Sequence, residues 1–256
     1  LKKRSAPTQP RTRGALVYFH GCAGGYFEVD AAKKAIEVLE HLGYEVIVPE
    51  QGCCGLAEQS NGLFEKASAS VRRLVDQLRA PGTELTIIST AGSCTGMLKH
   101  EAHQILGIHD PELMDVGTRI REISAFLMEL YEAGELPTDF QPIEMRLPYH
   151  APCQLKSQGM GTPAADLLRL IPGLEVIDSN VTCCGIAGTY GLKKEKYDIA
   201  QAVGKPLFDM VKATNDGLAA CDTETCRWQI EKSSGVETVH PIVLVHRAYG
   251  LGGVLT

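Results

Sequence analysis

The cysteines of this chain fall on a repeat, and that repeat constrains the fold more than any other feature. The first half carries Tyr18-Phe19-His20-Gly21-Cys22, then Gln51-Gly52-Cys53-Cys54-Gly55, then Ser89-Thr90-Ala91-Gly92-Ser93-Cys94. The second half carries Pro148-Tyr149-His150-Ala151-Pro152-Cys153, then Thr182-Cys183-Cys184-Gly185, then Cys221-Asp222-Thr223-Glu224-Thr225-Cys226. Cys22 and Cys153 are 131 positions apart, Cys53 and Cys183 130, Cys54 and Cys184 130, and Cys94 and Cys226 132. Four separations that agree within two residues mark two tandem modules, each of ordinary domain size. The polar stretch from Glu135 to Gln141, punctuated by Gly134, Pro137 and Pro142, divides them. Module one is read as 14–140, module two as 141–256, and 1–13 as a linker.

Hydrophobic patterning places the cysteines. Ala15–Phe19, Tyr44–Val48 and Leu85–Ser89 are short apolar runs of the buried-strand kind. Ala32, Ile36 and Leu39 repeat at helical spacing behind Asp30, a candidate N-cap. Leu63 to Leu78 carries a clear helical stripe, and Ile120, Ile123, Leu127 and Leu130 mark a further helix. Module two repeats the order. Its expected strands are Ile143–Leu147, Leu174–Ile177 and Gly217–Ala220, with a last one over Thr238–Leu244. Its helices are expected near Ala164–Ile171, Glu195–Val211 and Glu224–Lys232, the second kinked or split at Pro206. Strands alternating with helices predict an α/β fold: two pseudo-symmetric modules, each a small, mostly parallel sheet flanked by helices. Cys22, Cys53, Cys94, Cys153, Cys183 and Cys221 then lie just past strand carboxyl ends. In open α/β sheets those ends share one edge, where ligands bind.

Composition removes several function classes. Net charge is −6, with 25 basic against 31 acidic residues, so a general nucleic-acid binder is not expected. No apolar run approaches the roughly 18 residues of a membrane span. Nine cysteines cannot all pair internally, and the opening LKKRSAPTQPRTR has no apolar export segment. The expected compartment is therefore a reducing cytosol, where clustered cysteines bind metal or do redox work. Cysteine also behaves as a small hydrophobe, and its count alone would favour scattered buried thiols. The positions reverse that reading.

Module two offers five thiols, Cys153, Cys183, Cys184, Cys221 and Cys226. Tetrahedral zinc takes four ligands, one too few for this set. An iron–sulfur cluster spreads its ligand positions over several irons, so consecutive cysteines can reach different ones. Gly185 is placed to allow a left-handed or close-approach backbone. Module one offers Cys22, Cys53, Cys54 and Cys94, with Ser89 opposite Cys221. That site is left open between a cluster with a weaker ligand, a zinc ion and nothing.

This pattern resembles the cysteine-rich CCG domain family. The family includes a cluster-bearing component of heterodisulfide reductase and the iron–sulfur subunits of flavin-linked hydroxyacid dehydrogenases. The longer stretches Cys183-Cys184-Gly185-Ile186-Ala187-Gly188-Thr189-Tyr190-Gly191, Glu224-Thr225-Cys226-Arg227-Trp228 and His240-Pro241-Ile242 are similar to the members that serve glycerol-3-phosphate dehydrogenases. The resemblance implies an electron-transfer subunit rather than the substrate-oxidising one. It implies a ferredoxin-like part upstream, a flavoprotein dehydrogenase as partner, and a quinone as acceptor. It implies a cytoplasmic protein in peripheral contact with the inner face of the membrane. It also implies that Cys153, Cys183, Cys184, Cys221 and Cys226 hold a [4Fe–4S] cluster, non-cubane in heterodisulfide reductase. Two departures stand against that pattern: Cys221 and Cys226 are five positions apart, wider than the family spacing, and module one has Ser89 where a cysteine is expected. Thiol–disulfide reduction at the cluster and a zinc-stabilised scaffold are the competing readings.

Other residues are weaker candidates. His20 and His150 sit two and three residues before the first cysteines, where a histidine can ligate iron, donate a hydrogen bond to cluster sulfur, or simply end a strand with an ordinary polar partner. His240 reads as structural. Lys156, Lys193, Lys194 and Lys196 balance a thiolate-rich centre or sit on solvated helix faces. Trp228, the only tryptophan, is expected in the core. The glycine runs fit no nucleotide-binding spacing.

Overall fold

The structure, a computed structural model, describes residues 11–251; most of the expected linker and the last five residues lie outside the described residues. The chain divides into two compact units, Leu1–Pro137 and Thr138–Thr256. In the first, β1 (Ala15–Phe19), β2 (Glu45–Ile47), β3 (Ile87–Ser89) and β4 (Ile120–Glu122) form a parallel sheet of order β2-β1-β3-β4. In the second, β5 (Met145–His150), β6 (Leu174–Asp178), β7 (Leu218–Cys221) and β8 (Glu237–Val239) form a parallel sheet of order β6-β5-β7-β8. The two orders are the same once each unit is numbered from its own first strand. Helices flank both sheets.

Local chemistry explains the elements. Leu16 to Phe19 is buried throughout, as a central parallel strand covered on both faces requires. The helix Phe64–Arg79 buries Ala67, Val71, Leu74, Val75 and Leu78 on one stripe. Each large apolar side chain there contributes about 1.5–3 kcal/mol against exposure. Arg72 and Arg79 on the same helix pair with Asp110 and Asp115 instead of facing the core.

Several expectations change. Asp30 is not the N-cap; the helix Val29–His41 follows Glu28, and Asp30 in its first turn pairs with Lys34 at 2.6 Å. Ile120 does not open a helix. It begins β4, and the Glu122 carboxylate then accepts the Ser124 and Ala125 N–H groups to cap the helix Ile123–Glu132. The helix Pro111–Arg119 carries no long apolar stripe and is an addition to the expected elements. The helical run from Gly92 to Gln104 is another, and it passes through a π-helical segment at Met97–Glu101. The expected strand over Thr238–Leu244 stops at Val239, because Pro241 starts the helix Pro241–Ala248. The helix Tyr197–Thr214 runs unbroken through Pro206, which sits on its exposed side, where water can serve the carbonyl that loses its partner. Pro148 sits within β5 and has no N–H, and pairing with β7 is confined to Tyr149 and His150 beyond it. Among the described residues no helix is long and apolar enough to cross a membrane.

The glycine of each Cys-Cys-Gly turn is required twice over. Gly55 has φ +82° and Gly185 has φ +90°. A Cβ on Gly55 would lie 2.8 Å from the Ala67 carbonyl oxygen, and one on Gly185 would lie 2.0 Å from that of Ala200. The turn is thus laid directly on a helix backbone. Gly185→Ala is expected to cost roughly 3 kcal/mol or more, through strain at positive φ and overlap with backbone. Gly134, with φ +72° and open space around its Cβ position, should lose only about 1 kcal/mol on the same change. Denaturant titration of the two variants checks this; equal losses would contradict it.

Candidate metal centre

In the first unit the cysteines arrive from the ends of β1, β2 and β3. Cys22 lies in the short helix Gly21–Tyr26 after β1, Cys53 and Cys54 in the loop after β2, and Cys94 in the helix Gly92–Gly96 after β3. Gln51 ties the first two together: its amide donates to the Tyr18 carbonyl at 3.0 Å, and its oxygen accepts the His20 N–H at 2.9 Å. Gln77 accepts the Gly52 N–H at 2.8 Å and holds the same loop to the long helix beneath it. Cys54 Sγ and Cys94 Sγ are 3.0 Å apart, well beyond a disulfide's roughly 2.05 Å. All nine cysteines are free.

The second unit repeats this and adds a thiol. Cys153 opens the helix Cys153–Lys156 after β5, Cys183 and Cys184 follow β6, Cys221 is the last residue of β7, and Cys226 lies in the helix Glu224–Ser234. Cys184 Sγ and Cys226 Sγ are again 3.0 Å apart. The backbone N–H of Gly185 donates to Cys183 Sγ at 3.3 Å, as that of Gly55 does to Cys53 at 3.4 Å. Lys156 donates to the Val181 carbonyl at 3.1 Å and so tethers the approach to the Cys-Cys-Gly turn.

Each set is graded from surface to interior. Cys22 and Cys153 are exposed, Cys53 and Cys183 half-buried, and Cys54, Cys94, Cys184, Cys221 and Cys226 buried. Hydrogen bonds from Cys22 and then Cys54 pull the Cys53 thiol down to about 2. Those from Cys153 and then Cys184 do the same for Cys183, also to about 2. The interior thiols go the other way. Cys184 is pushed up to about 12, chiefly by the neighbouring Cys183, and Cys54 and Cys226 are raised strongly by adjacent sulfurs and by burial. A buried group of thiols with raised values keeps its protons unless another cation replaces them. Metal binding to cysteine is that replacement. Soft sulfur donors at several depths therefore suit a thiophilic metal or a cluster with more than one metal atom.

The two histidines are not counterparts in the repeat. Phe19 pairs with Ser89 where His150 pairs with Cys221, and each lies three residues before the first cysteine of its unit. The counterpart of His150 is Phe19, not His20. The His20 ring turns onto the Gly21 carbonyl at 2.5 Å and lies over Gly25. A ring nitrogen of His150 and the Sγ atoms of Cys184 and Cys226 lie within 4.8 Å of one another, all buried. Burial pushes His150 down to about 4, so its ring is neutral. His240 is structural, its Nδ1 accepting the Ile242 N–H at 3.1 Å at a helix start. Trp228 is not in the core. It is 36% exposed and lines a surface cleft with Glu231 and Thr238. Two residues past the inward-facing Cys226, it falls on the opposite side of the helix. Lys193 and Lys194 are exposed, and Lys196 lies over the Tyr190 ring at 5.7 Å.

Residues not singled out by the sequence also support the second centre. Tyr149 donates to Asp222 Oδ2 at 2.7 Å, both fully buried, and Arg227 donates to the carbonyls of Cys221 and Asp222, each at 2.7 Å. In the first unit the corresponding pair is Tyr18 and Thr90, 2.8 Å apart. The repeat itself carried the signal, since Tyr18 to Tyr149 is 131 positions and Thr90 to Asp222 is 132.

Comparison with known proteins follows the same halves. The model of the CCG cysteine-rich domain matches residues 16–99 and again 147–231. The chain is 35% identical over 247 residues, 95% of its length, to a subunit of the anaerobic glycerol-3-phosphate dehydrogenase of Escherichia coli K12, and spans 61% of that protein. It is 30% identical over 220 residues to a subunit of the fumarate reductase (CoM/CoB) of Methanothermobacter marburgensis, covering 84% of this chain and 41% of that one. It is 28% identical over 181 residues to lactate utilization protein A of Oceanobacillus iheyensis, covering 68% of this chain and 72% of that one.

Two outcomes follow for the metal-free, reduced protein. Iodoacetamide should label Cys53 and Cys183 first, at rates nearly constant from about pH 5 to 8, while Cys54, Cys184 and Cys226 stay protected until unfolding. Peptide mapping checks this, and equal labelling of Cys54 and Cys53 would contradict it. Asp222 supplies the pH dependence. Burial raises its carboxyl from 3.8 to about 6. A folded value above the unfolded one gives stability that is fully present below about pH 3.8 and lost as pH rises through 6. Asp222→Asn should remove that slope and raise stability at pH 7 by about 2–3 kcal/mol. Denaturation between pH 4 and 7, approximately, measures it; an unchanged slope would exclude Asp222 as its source.

Proposed function

From the premise that this chain belongs to the cysteine-rich CCG domain family, we propose that it is an iron–sulfur electron-transfer component of an oxidoreductase. One observation carries the reading. In each unit, thiols up to about seventy residues apart in sequence meet at one sheet edge, with their innermost members buried against each other. Structural thiols would have no need of that convergence. When bound, an iron–sulfur cluster accepts and releases single electrons.

The protein's part is to hold, shield and tune such a centre. In the second unit the ligands are Cys153, Cys183, Cys184, Cys221 and Cys226. Five thiols suit a [4Fe–4S] cluster, including one of non-cubane form. In the first unit Cys22, Cys53, Cys54 and Cys94 hold an iron–sulfur cluster or zinc, Ser89 standing where the fifth thiol would be. Buried Arg227 offsets thiolate charge in the second unit. The backbone N–H groups of Gly55 and Gly185 stabilise the half-exposed sulfurs.

The functional modules are 14–140 and 141–256, and 1–13 links them to a ferredoxin-like part upstream. The partner is a flavoprotein that oxidises glycerol 3-phosphate, a reading supported by the name of the 35%-identical relative. Electrons then pass toward a quinone, with the protein peripheral on the cytoplasmic face of the membrane. Alone, this chain oxidises no hydroxy substrate. The exposure of Cys153 beside the low-pKa sulfur of Cys183 favours one second reading, a thiol–disulfide reductase in which a substrate disulfide meets the rim of the centre. That reading requires disulfide-dependent reoxidation of the reduced protein, lost in Cys184→Ser.

Anaerobic purification with iron, sulfide and zinc analysis is the decisive experiment. Iron and acid-labile sulfide in near-equal amounts, with a paramagnetic signal on reduction, are expected. Cys184→Ser should remove the second unit's share, about half of the iron if both units are loaded. Protein saturated with zinc and free of sulfide would overturn the proposal in favour of a scaffold.

A further inference from the structure

The second centre has one buried donor that the first lacks. His150 ends β5 beside Cys221 and is 1% exposed. Its Nδ1 lies 3.0 Å from Ser179 Oγ. That oxygen accepts the Val181 N–H at 3.4 Å and keeps its own proton, which it can donate to Nδ1. With the serine donating to Nδ1, the ring proton sits on Nε2. Nε2 is buried and has no hydrogen-bond partner. The ring stands within 4.8 Å of Cys184 Sγ and Cys226 Sγ. A buried ring nitrogen left unsatisfied is costly, and one on a ring beside two buried sulfurs implies a partner at that place.

We propose that His150 donates a hydrogen bond through Nε2 to a sulfur of the centre held in the second unit, making that centre easier to reduce than the one in the first. The proposal rests on the iron–sulfur reading above. Phe19, the register counterpart of His150, offers its centre no such bond. Reduction adds negative charge to a cluster, and a donor to sulfur stabilises the more negative state. Direct ligation is the weaker alternative. Five thiols already supply the second centre, and a nitrogen carrying the ring proton has no lone pair for iron. His150 is thus a positioning and tuning residue.

The test uses the anaerobically loaded chain, with the second unit's signal identified as the one lost in Cys184→Ser. His150→Phe installs the first unit's residue, His150→Gln keeps an N–H, and Ser179→Ala releases the ring tautomer. Iron and sulfide should stay at wild-type levels in all three. In His150→Phe the reduced-to-oxidised ratio of that signal, at a fixed solution potential, should fall about tenfold, the effect of one lost charge-assisted hydrogen bond. His150→Gln should recover most of it, and Ser179→Ala should move the ratio the same way by less. A hyperfine coupling to a solvent-exchangeable proton, present in the wild type, should vanish in His150→Phe. If His150→Phe does not fold, the Gln and Ala variants and the exchangeable coupling carry the test. An unchanged ratio and coupling would overturn the proposal, as would strong nitrogen coupling from isotope-labelled histidine with loss of iron. Wild-type protein without sulfide would instead sink the iron–sulfur reading itself.

Discussion

Strand order is the constraint on which the rest of each unit depends. The chain crosses from its first strand to one neighbour, then back past it to the other, giving β2-β1-β3-β4 and β6-β5-β7-β8. Connections that leave a central strand on opposite sides open a crevice at the carboxyl edge. Loops far apart in sequence are thereby delivered to one place, with no long-range contact needed beyond the sheet ladder. Both cysteine sets occupy that edge. Their depth, their mutual hydrogen bonding and their displaced proton affinities follow from where the strands stop.

Polar side chains brace this edge from behind. Tyr18 and Tyr149 reach across from the central strands to Thr90 and Asp222 just past the next ones. Such bonds tie two strand ends at the level where the thiols leave the sheet. The second unit replaces a hydroxyl with a carboxyl and adds the buried Arg227. It also has Cys221 and His150 in place of Ser89 and Phe19. All four substitutions add charge or donor capacity around one centre, so the halves share a frame but not a chemical character.

Much of this was legible in the sequence, for identifiable reasons. Ala15–Phe19 is bounded by glycine and apolar throughout, and the observed strand matches it end to end. The stripe from Leu63 to Leu78 gave the long helix within a residue at each end. The equal cysteine separations carried the duplication. What escaped notice lacked an apolar period or depended on a neighbour. β4 is three residues long and merges into the following helix at a Glu122 cap. The π-helical segment has no marker in residue type. The equivalence of His150 with Phe19 is carried by the same 131-position offset that relates Cys22 to Cys153, and strand register agrees. Trp228 was misplaced because hydrophobic character was weighed without its helical phase relative to Cys226.

The Cys-Cys-Gly turn separates two kinds of tolerance. Ser89 stands in a strand end that keeps its shape and its sheet partner without a thiol. The glycine enjoys no such freedom, since backbone occupies the space any side chain would enter. Duplicated copies of this unit can therefore drift in metal-binding capacity while their architecture persists. A copy stripped of every sulfur ligand would still need its glycine, which would survive as a fossil of the ancestral centre.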